Sequence, residues 1–119
     1  MSFAVGYLEI VTPDVDTVCE IYAAANGVEF SGPVAEFGGA RMAVLSSGRP
    51  AKVGIRAPMR DTEAPVVRPY LLVDDAAAAI EAVRAKGAEI AVPPMEIPGQ
   101  GTCAIYLLGG VEHGIWQNP

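Results

Sequence analysis

The feature that most constrains this chain is that it carries one unit written twice. Gly54-Ile55 returns as Gly114-Ile115, and a constant offset of 60 also sets Gly39 on Gly99, Glu36 on Glu96, Pro33 on Pro93, Glu29 on Glu89 and Gly27 on Gly87. Upstream of Gly27 the offset becomes 61, pairing Asp14 with Asp75 and Ala24 with Ala85, as though the second copy had lost one residue at the end of a helix. Half of a 119-residue chain is too short to bury an adequate core alone. The two copies must therefore share a sheet or face each other across a cleft.

Local patterns give each copy the same element order. Ala4 to Val11 mixes β-branched and aromatic residues with partial alternation, which predicts a strand with Tyr7 and Glu9 on one face. Thr12-Pro13-Asp14 supplies a helix start, and Val15, Val18, Cys19 and Tyr22 line one side of a helix that stops at Asn26-Gly27. Val28 to Phe30 predicts a second strand, followed by a turn-rich passage from Ser31 to Gly39. Arg41 to Leu45 predicts a third strand, Ser46 to Pro50 a turn, and Lys52 to Arg56 a fourth strand. The module is βαβββ.

Residues 58–65 have no period and read as a linker. The second copy then runs from Val66 to Val73 as a strand, with Arg68, Tyr70 and Leu72 on the face equivalent to Tyr7, Glu9 and Val11. Asp74-Asp75 caps a second helix, whose apolar stripe Ala76, Ala79, Ile80 and Val83 repeats the spacing of the first and ends at Lys86-Gly87. Glu89 to Val92, Thr102 to Leu107 and Glu112 to Gln117 predict three more strands. Pro93-Pro94 and the Pro98-Gly99-Gln100-Gly101 turn are expected between the first two of these. The expectation is a single α+β domain over residues 1–119, built of modules 1–57 and 66–119 around the linker.

The bulk numbers bound the function. A hydrophobic fraction of 51% with 18% charged residues is a globular composition, and no apolar run reaches what a membrane helix needs. Nothing at the N-terminus reads as a signal peptide, so the expected setting is cytoplasmic. A net charge of −6 with scattered basic residues argues against nucleic acid; the negative field favours a cationic ligand, whereas an anionic one would use Arg56 and Arg68. Cys19 and Cys103 sit inside apolar patterns and are expected as buried free thiols.

A tandem βαβββ repeat, with the first strand entering its helix through Pro-Asp and the last ending Gly114-Ile115-Trp116-Gln117, resembles the vicinal oxygen chelate superfamily. That group includes glyoxalase, bleomycin-resistance and extradiol-dioxygenase-like proteins. Val73-Asp74-Asp75, Lys86-Gly87-Ala88 and the run Val92-Pro93-Pro94-Met95-Glu96-Ile97-Pro98-Gly99 carry the likeness further, so that it covers the chain from Gly6 to Gln117. The resemblance implies a cupped, incomplete barrel of eight strands with two helices packed outside, a ligand on the concave side, and a homodimer.

The resemblance also implies four metal-ligand positions on the first and fourth strands of each copy, where family enzymes use His, Glu or Gln. Here those positions hold Tyr7, Gly54, Arg68 and Gly114. Glycine has no side chain, arginine keeps its proton, and a neutral phenol is a poor ligand for divalent metals. No metal or other cofactor is therefore expected. Glu9 faces the same way as Tyr7, whereas His113, the chain's one imidazole, should point away from that face.

The expected ligand-binding set is Tyr7, Glu9, Gly54, Arg56, Arg68, Tyr70, Gly114 and Trp116, with Glu9 paired to one of the arginines. Three aromatic rings, two fixed cations and one anion suit a small, partly aromatic organic molecule held without metal. The alternative is an enzyme: a glyoxalase-like metal-dependent isomerase, lyase or dioxygenase, or a metal-free catalyst with Glu9 as general base and an arginine on the developing oxyanion.

Overall fold

The computed structural model describes residues 4–44 and 51–119. Among them, eight strands and two α-helices follow the βαβββ order twice: β1 Val5–Val11, α1 Val15–Asn26, β2 Pro33–Val34, β3 Ala40–Val44, β4 Lys52–Arg56, then β5 Val66–Leu72, α2 Ala76–Ala85, β6 Glu89–Ile97, β7 Gly101–Leu108 and β8 Val111–Gln117. The expected Ser46 to Pro50 turn, with Leu45, lies outside the described residues. The chain divides into two compact units, Tyr7–Val67 and Arg68–Pro119 together with residues 4–6.

In the first unit the strand order is β2-β3-β4-β1, with β1 and β4 parallel and the other neighbours antiparallel. In the second it is β5-β8-β7-β6, with β5 and β8 parallel. The repeat is preserved in the register itself. Glu9 lies opposite Gly54 and Val11 opposite Arg56, while their counterparts Tyr70 and Leu72 lie opposite Gly114 and Trp116. The bond that closes each parallel pair recurs as well: Thr12 N–H donates to the Arg56 carbonyl at 2.9 Å, and Val73 N–H to the Trp116 carbonyl at 2.8 Å.

In each unit one helix covers one face of the strands. In the first unit Val15, Val18, Cys19 and Tyr22 of α1 pack with Leu8, Ile10, Ala43, Val53 and Ile55. In the second, Ala76, Ala79, Ile80 and Val83 of α2 pack with Ile90, Ala104, Tyr106 and Ile115. Val53 and Ile55 are fully enclosed, and burial of side chains that size is worth about 1.5–3 kcal/mol each. Strand neighbours alternate faces, so the remaining residues, Tyr7, Glu9, Gly54 and Arg56 in one unit and Tyr70, Gly114 and Trp116 in the other, project from the helix-free faces.

The two helix starts differ. Asp75 accepts a hydrogen bond from Ala78 N–H at 3.1 Å, and Gln117 Oε1 accepts from Ala76 N–H at 2.8 Å. Asp14 makes no such cap, and its own N–H instead donates to Thr12 Oγ1 at 3.1 Å. Helix α1 ends on Gly27, left-handed at φ 65°, as the Asn-Gly pair predicts.

Two expected elements are corrected. Val28 to Phe30 forms no strand; Val28 and Phe30 are spent on the core under α1, with the Phe30 ring edge-on to Tyr22 at 6.2 Å, and β2 is the later pair Pro33–Val34. A short 3-10 turn, Ala35–Phe37, follows it and closes on Gly38 at φ 68°. Pro93 and Pro94 do not end β6, which continues to Ile97 across register shifts on either side of Val92. Strand β6 ends its sheet order, so residues without an N–H are tolerated there.

Glycine at position 114 is set by contact. A Cβ there would lie 2.5 Å from Tyr70 Cγ and 2.9 Å from the Pro69 carbonyl oxygen, neither of which can swing away. Gly114→Ala is expected to lower stability by about 1–3 kcal/mol, the cost of overpacking, read as a lowered urea midpoint at unchanged slope.

Candidate functional site

The helix-free face of the first unit is a chain of contacts that starts at Tyr7. Its ring is buried and stacks on Phe37 with centroids 5.1 Å apart, and its hydroxyl lies 4.0 Å from Met42 Sδ. A Cβ on Gly54 would collide with that hydroxyl, so the glycine in β4 is what admits the phenol. Next along the same face stand Glu9 and Arg56, both buried. Arg56 Nε donates to Glu9 Oε2 at 3.0 Å.

Arg56 does not stop at Glu9. Its terminal nitrogens form a two-pronged pair with Glu63, Nη1 to Oε1 at 2.9 Å and Nη2 to Oε2 at 2.7 Å, and Nη1 also donates to the Ala57 carbonyl at 3.2 Å. Glu63 in turn accepts from Met59 N–H at 2.8 Å, so one carboxylate ties the 57–65 connection to the end of β4. The bond to Glu63 is the largest influence raising the Arg56 pKa above its ordinary value; burial opposes it and Glu9 adds to it. The guanidinium is a fixed cation at any working pH.

In the second unit the equivalent face is also built from its own side chains. Tyr70 is buried against Gly114. Arg68 Nη2 donates to Glu112 Oε1 at 2.7 Å across β5 and β8. Trp116 is fully enclosed beside Gly6 and Gly101, with its Nε1 donating to Asn118 Oδ1 at 3.1 Å. Tyr70 and Trp116 thus serve as packing residues in this conformation. Cys103, paired opposite Trp116, is a buried free thiol. His113 stands on the opposite, helix-bearing face, stacked on Tyr106 at 5.2 Å with Nε2 3.3 Å from the Leu108 carbonyl.

The four positions that the resemblance assigns to metal ligands do not fit a metal. Gly54 and Gly114 offer no donor, Tyr7 is packed between Phe37 and Met42, and Arg68 is a cation already paired with Glu112. Glu9, on the same face as Tyr7, is held by Arg56. Among the described residues no three His, Cys, Asp or Glu side chains gather as a metal would require.

Sequence reasoning places Glu9 and Arg56 together through strand alternation, but it misses Glu63, Glu112, Phe37 and Met42. Glu112 carries a usable signal, since it lies two residues before Gly114 and shares its face. Glu63 carries none, because the linker has no period to say where its side chains point.

No protein-family model matches the sequence, and no curated protein matches it. Solved structures do match in fold. A hypothetical protein from Bacillus halodurans C-125 superposes with TM-score 0.74 at 14% identity, covering 100% of this chain and 96% of that one. A methylmalonyl-CoA epimerase from Streptomyces coelicolor, in complex with 2-nitronate-propionyl-CoA, gives 0.74 at 21%, covering 97% and 94%. The methylmalonyl-CoA epimerase of Mycobacterium tuberculosis gives 0.73 at 18%, covering 97% and 87%. The chain has the fold of the vicinal oxygen chelate superfamily. At these identities the likeness is one of fold alone.

The buried network makes a stability prediction. Glu9→Ala leaves Arg56 paired with Glu63 and is expected to cost about 1–3 kcal/mol, whereas Arg56→Leu removes the cation that both carboxylates share and is expected to cost about 3–5 kcal/mol. Chemical denaturation of the three proteins checks the order.

Proposed function

We propose that this chain is a small-molecule-binding protein of the glyoxalase and bleomycin-resistance type, working without a metal and taking a small, partly aromatic organic ligand. The binding residues in this reading are those of the helix-free faces: Tyr7, Glu9, Gly54 and Arg56 in the first unit, and Arg68, Tyr70, Gly114 and Trp116 in the second. One observation carries it. At each position where the superfamily would place a metal ligand, this sequence has a residue that cannot ligate or one committed to an organic neighbour. What remains is an aromatic pair, Tyr7 on Phe37, beside a fixed guanidinium. Rings give flat contact area and a guanidinium gives direction, the two things a small planar ligand needs.

An enzymatic reading keeps some support because fold neighbours are epimerases. In that reading Glu9 is the base and Arg56 stabilises the charge that develops on substrate oxygen. A turnover assay separates the two readings: the enzymatic one requires conversion of a substrate that Glu9→Gln abolishes, and the binding one requires a ligand returned unchanged.

Metal analysis and thermal shift test the proposal. We expect no stoichiometric metal in the purified protein, no rise in Tm with Ni²⁺, Zn²⁺, Mn²⁺ or Fe²⁺, no fall with chelator, and a rise with at least one class of planar aromatic compound. A metal-dependent rise in Tm would return the metal enzyme to first place.

The homodimer belongs to the same proposal. Leu108 and Val111 flank the β7–β8 turn at 57% exposure each, and Val67 and Leu71 are exposed on β5, apolar surface that pairing of two chains would cover. Sedimentation at micromolar concentration is expected to give a species of twice the 12.4 kDa chain mass.

A further inference from the structure

Arg56 is shared by two carboxylates. One guanidinium stands between two carboxylates, with side-chain exposures of 6% for Arg56, 10% for Glu9 and 16% for Glu63. The two carboxylates are held differently. Glu9 comes from β1, where register with β4 fixes it opposite Gly54. Glu63 comes from a connection with no strand or helix and is the most exposed of the three.

The geometry of the Glu63 contact is the fork-to-fork arrangement by which a guanidinium recognises any carboxylate, with two parallel bonds of 2.9 and 2.7 Å. We propose that the Nη1–Nη2 fork of Arg56 is a binding site for the carboxylate of a small aromatic acid, and that Glu63 occupies it in cis as an intramolecular stand-in. Exchange of Glu63 for a ligand carboxylate replaces one anion by another and moves no proton, so Arg56 and Glu9 keep their charges and their bond. The displaced Glu63 gains solvent.

The surroundings supply the aromatic part of the assignment. Tyr7 and Glu9 are two apart on one face, so the Tyr7–Phe37 stack stands next to the ion pair along the same strand. The connection has a second anchor there: Met59 lies so close over Gly38, the residue after Phe37, that a Cβ at 38 would come within 2.6 Å of Met59 Cε. Glu63 holds Met59 N–H. Release of the carboxylate therefore loosens both anchors and uncovers the turn beside the Phe37 ring. Against this stands the advantage of tethering, which gives Glu63 an effective concentration in the millimolar range that a free acid must overcome.

This inference rests on the proposal that the helix-free face takes a small ligand, and the test separates the two. Benzoate is titrated against the full-length wild-type chain and against Glu63→Ala and Glu63→Gln, with benzamide as the neutral analogue of the same shape. Both variants are expected to bind benzoate at least about tenfold more tightly than wild type, because the tethered competitor is gone, and to show no such gain for benzamide. In wild type, benzoate is expected to shift the backbone amide resonance of Met59, and benzamide to leave it in place; this reading needs no variant to fold. Equal benzoate affinity in all three proteins, or a Met59 amide indifferent to benzoate at saturation, overturns the carboxylate assignment. If benzoate and benzamide each bind wild type and variants alike, the ligand-binding face stands and Glu63 is not its gate. If no aromatic compound binds any of the three, both proposals fall.

Discussion

The arrangement depends on a close approach repeated twice, an aromatic ring from the first strand of each unit laid over a glycine in the fourth. Tyr7 over Gly54 and Tyr70 over Gly114 both require a residue without a side chain directly beneath or beside the ring. That requirement fixes the helix-free faces. With the glycine's space taken by a ring, the neighbouring positions on the same face must accommodate what is left, which is an ion network in the first unit and an enclosed indole in the second. The duplicated backbone is symmetric in register, whereas the two faces are chemically unlike because Arg56 and Trp116, at equivalent positions, make one polar and the other apolar.

Much of this was legible because strands have a period of two and helices one near 3.6. The stripe Val15, Val18, Cys19, Tyr22 and its echo Ala76, Ala79, Ile80, Val83 are the residues that pack, and Lys52–Arg56 is a strand with the bounds its pattern predicts. The facing of Glu9 and Arg56 follows from the same alternation. What was not legible lacks a period. Val28 to Phe30 is apolar enough for a strand, yet a core contact uses those side chains equally well without a ladder, and nothing local chooses between them. Pro93-Pro94 reads as a terminator unless one knows that β6 ends its sheet order. Glu63 sits in an aperiodic connection, and its partnership with Arg56 spans seven residues that no repeat rule relates.

The shared fold does not say what this chain binds. The solved epimerases and this chain share backbone architecture at 21% and 18% sequence identity. A fold that hosts many activities passes on a face and a set of strand positions; the occupants of those positions decide the chemistry. In this chain the occupants of the four positions are a ring, two glycines and an arginine, none of them a usual metal ligand.

The prolines of β6 have a consequence for how this molecule meets others. Where Pro93 and Pro94 interrupt the row of backbone donors, and where the register slips on either side of Val92, the outer strand cannot serve as a template for an incoming extended chain. Strand β2, which begins the strand order, is only two residues long. Association through these borders by shared main-chain hydrogen bonds is thereby discouraged. Any partner must be recognised through side chains, so the chain can be concentrated without growing strand upon strand into fibres.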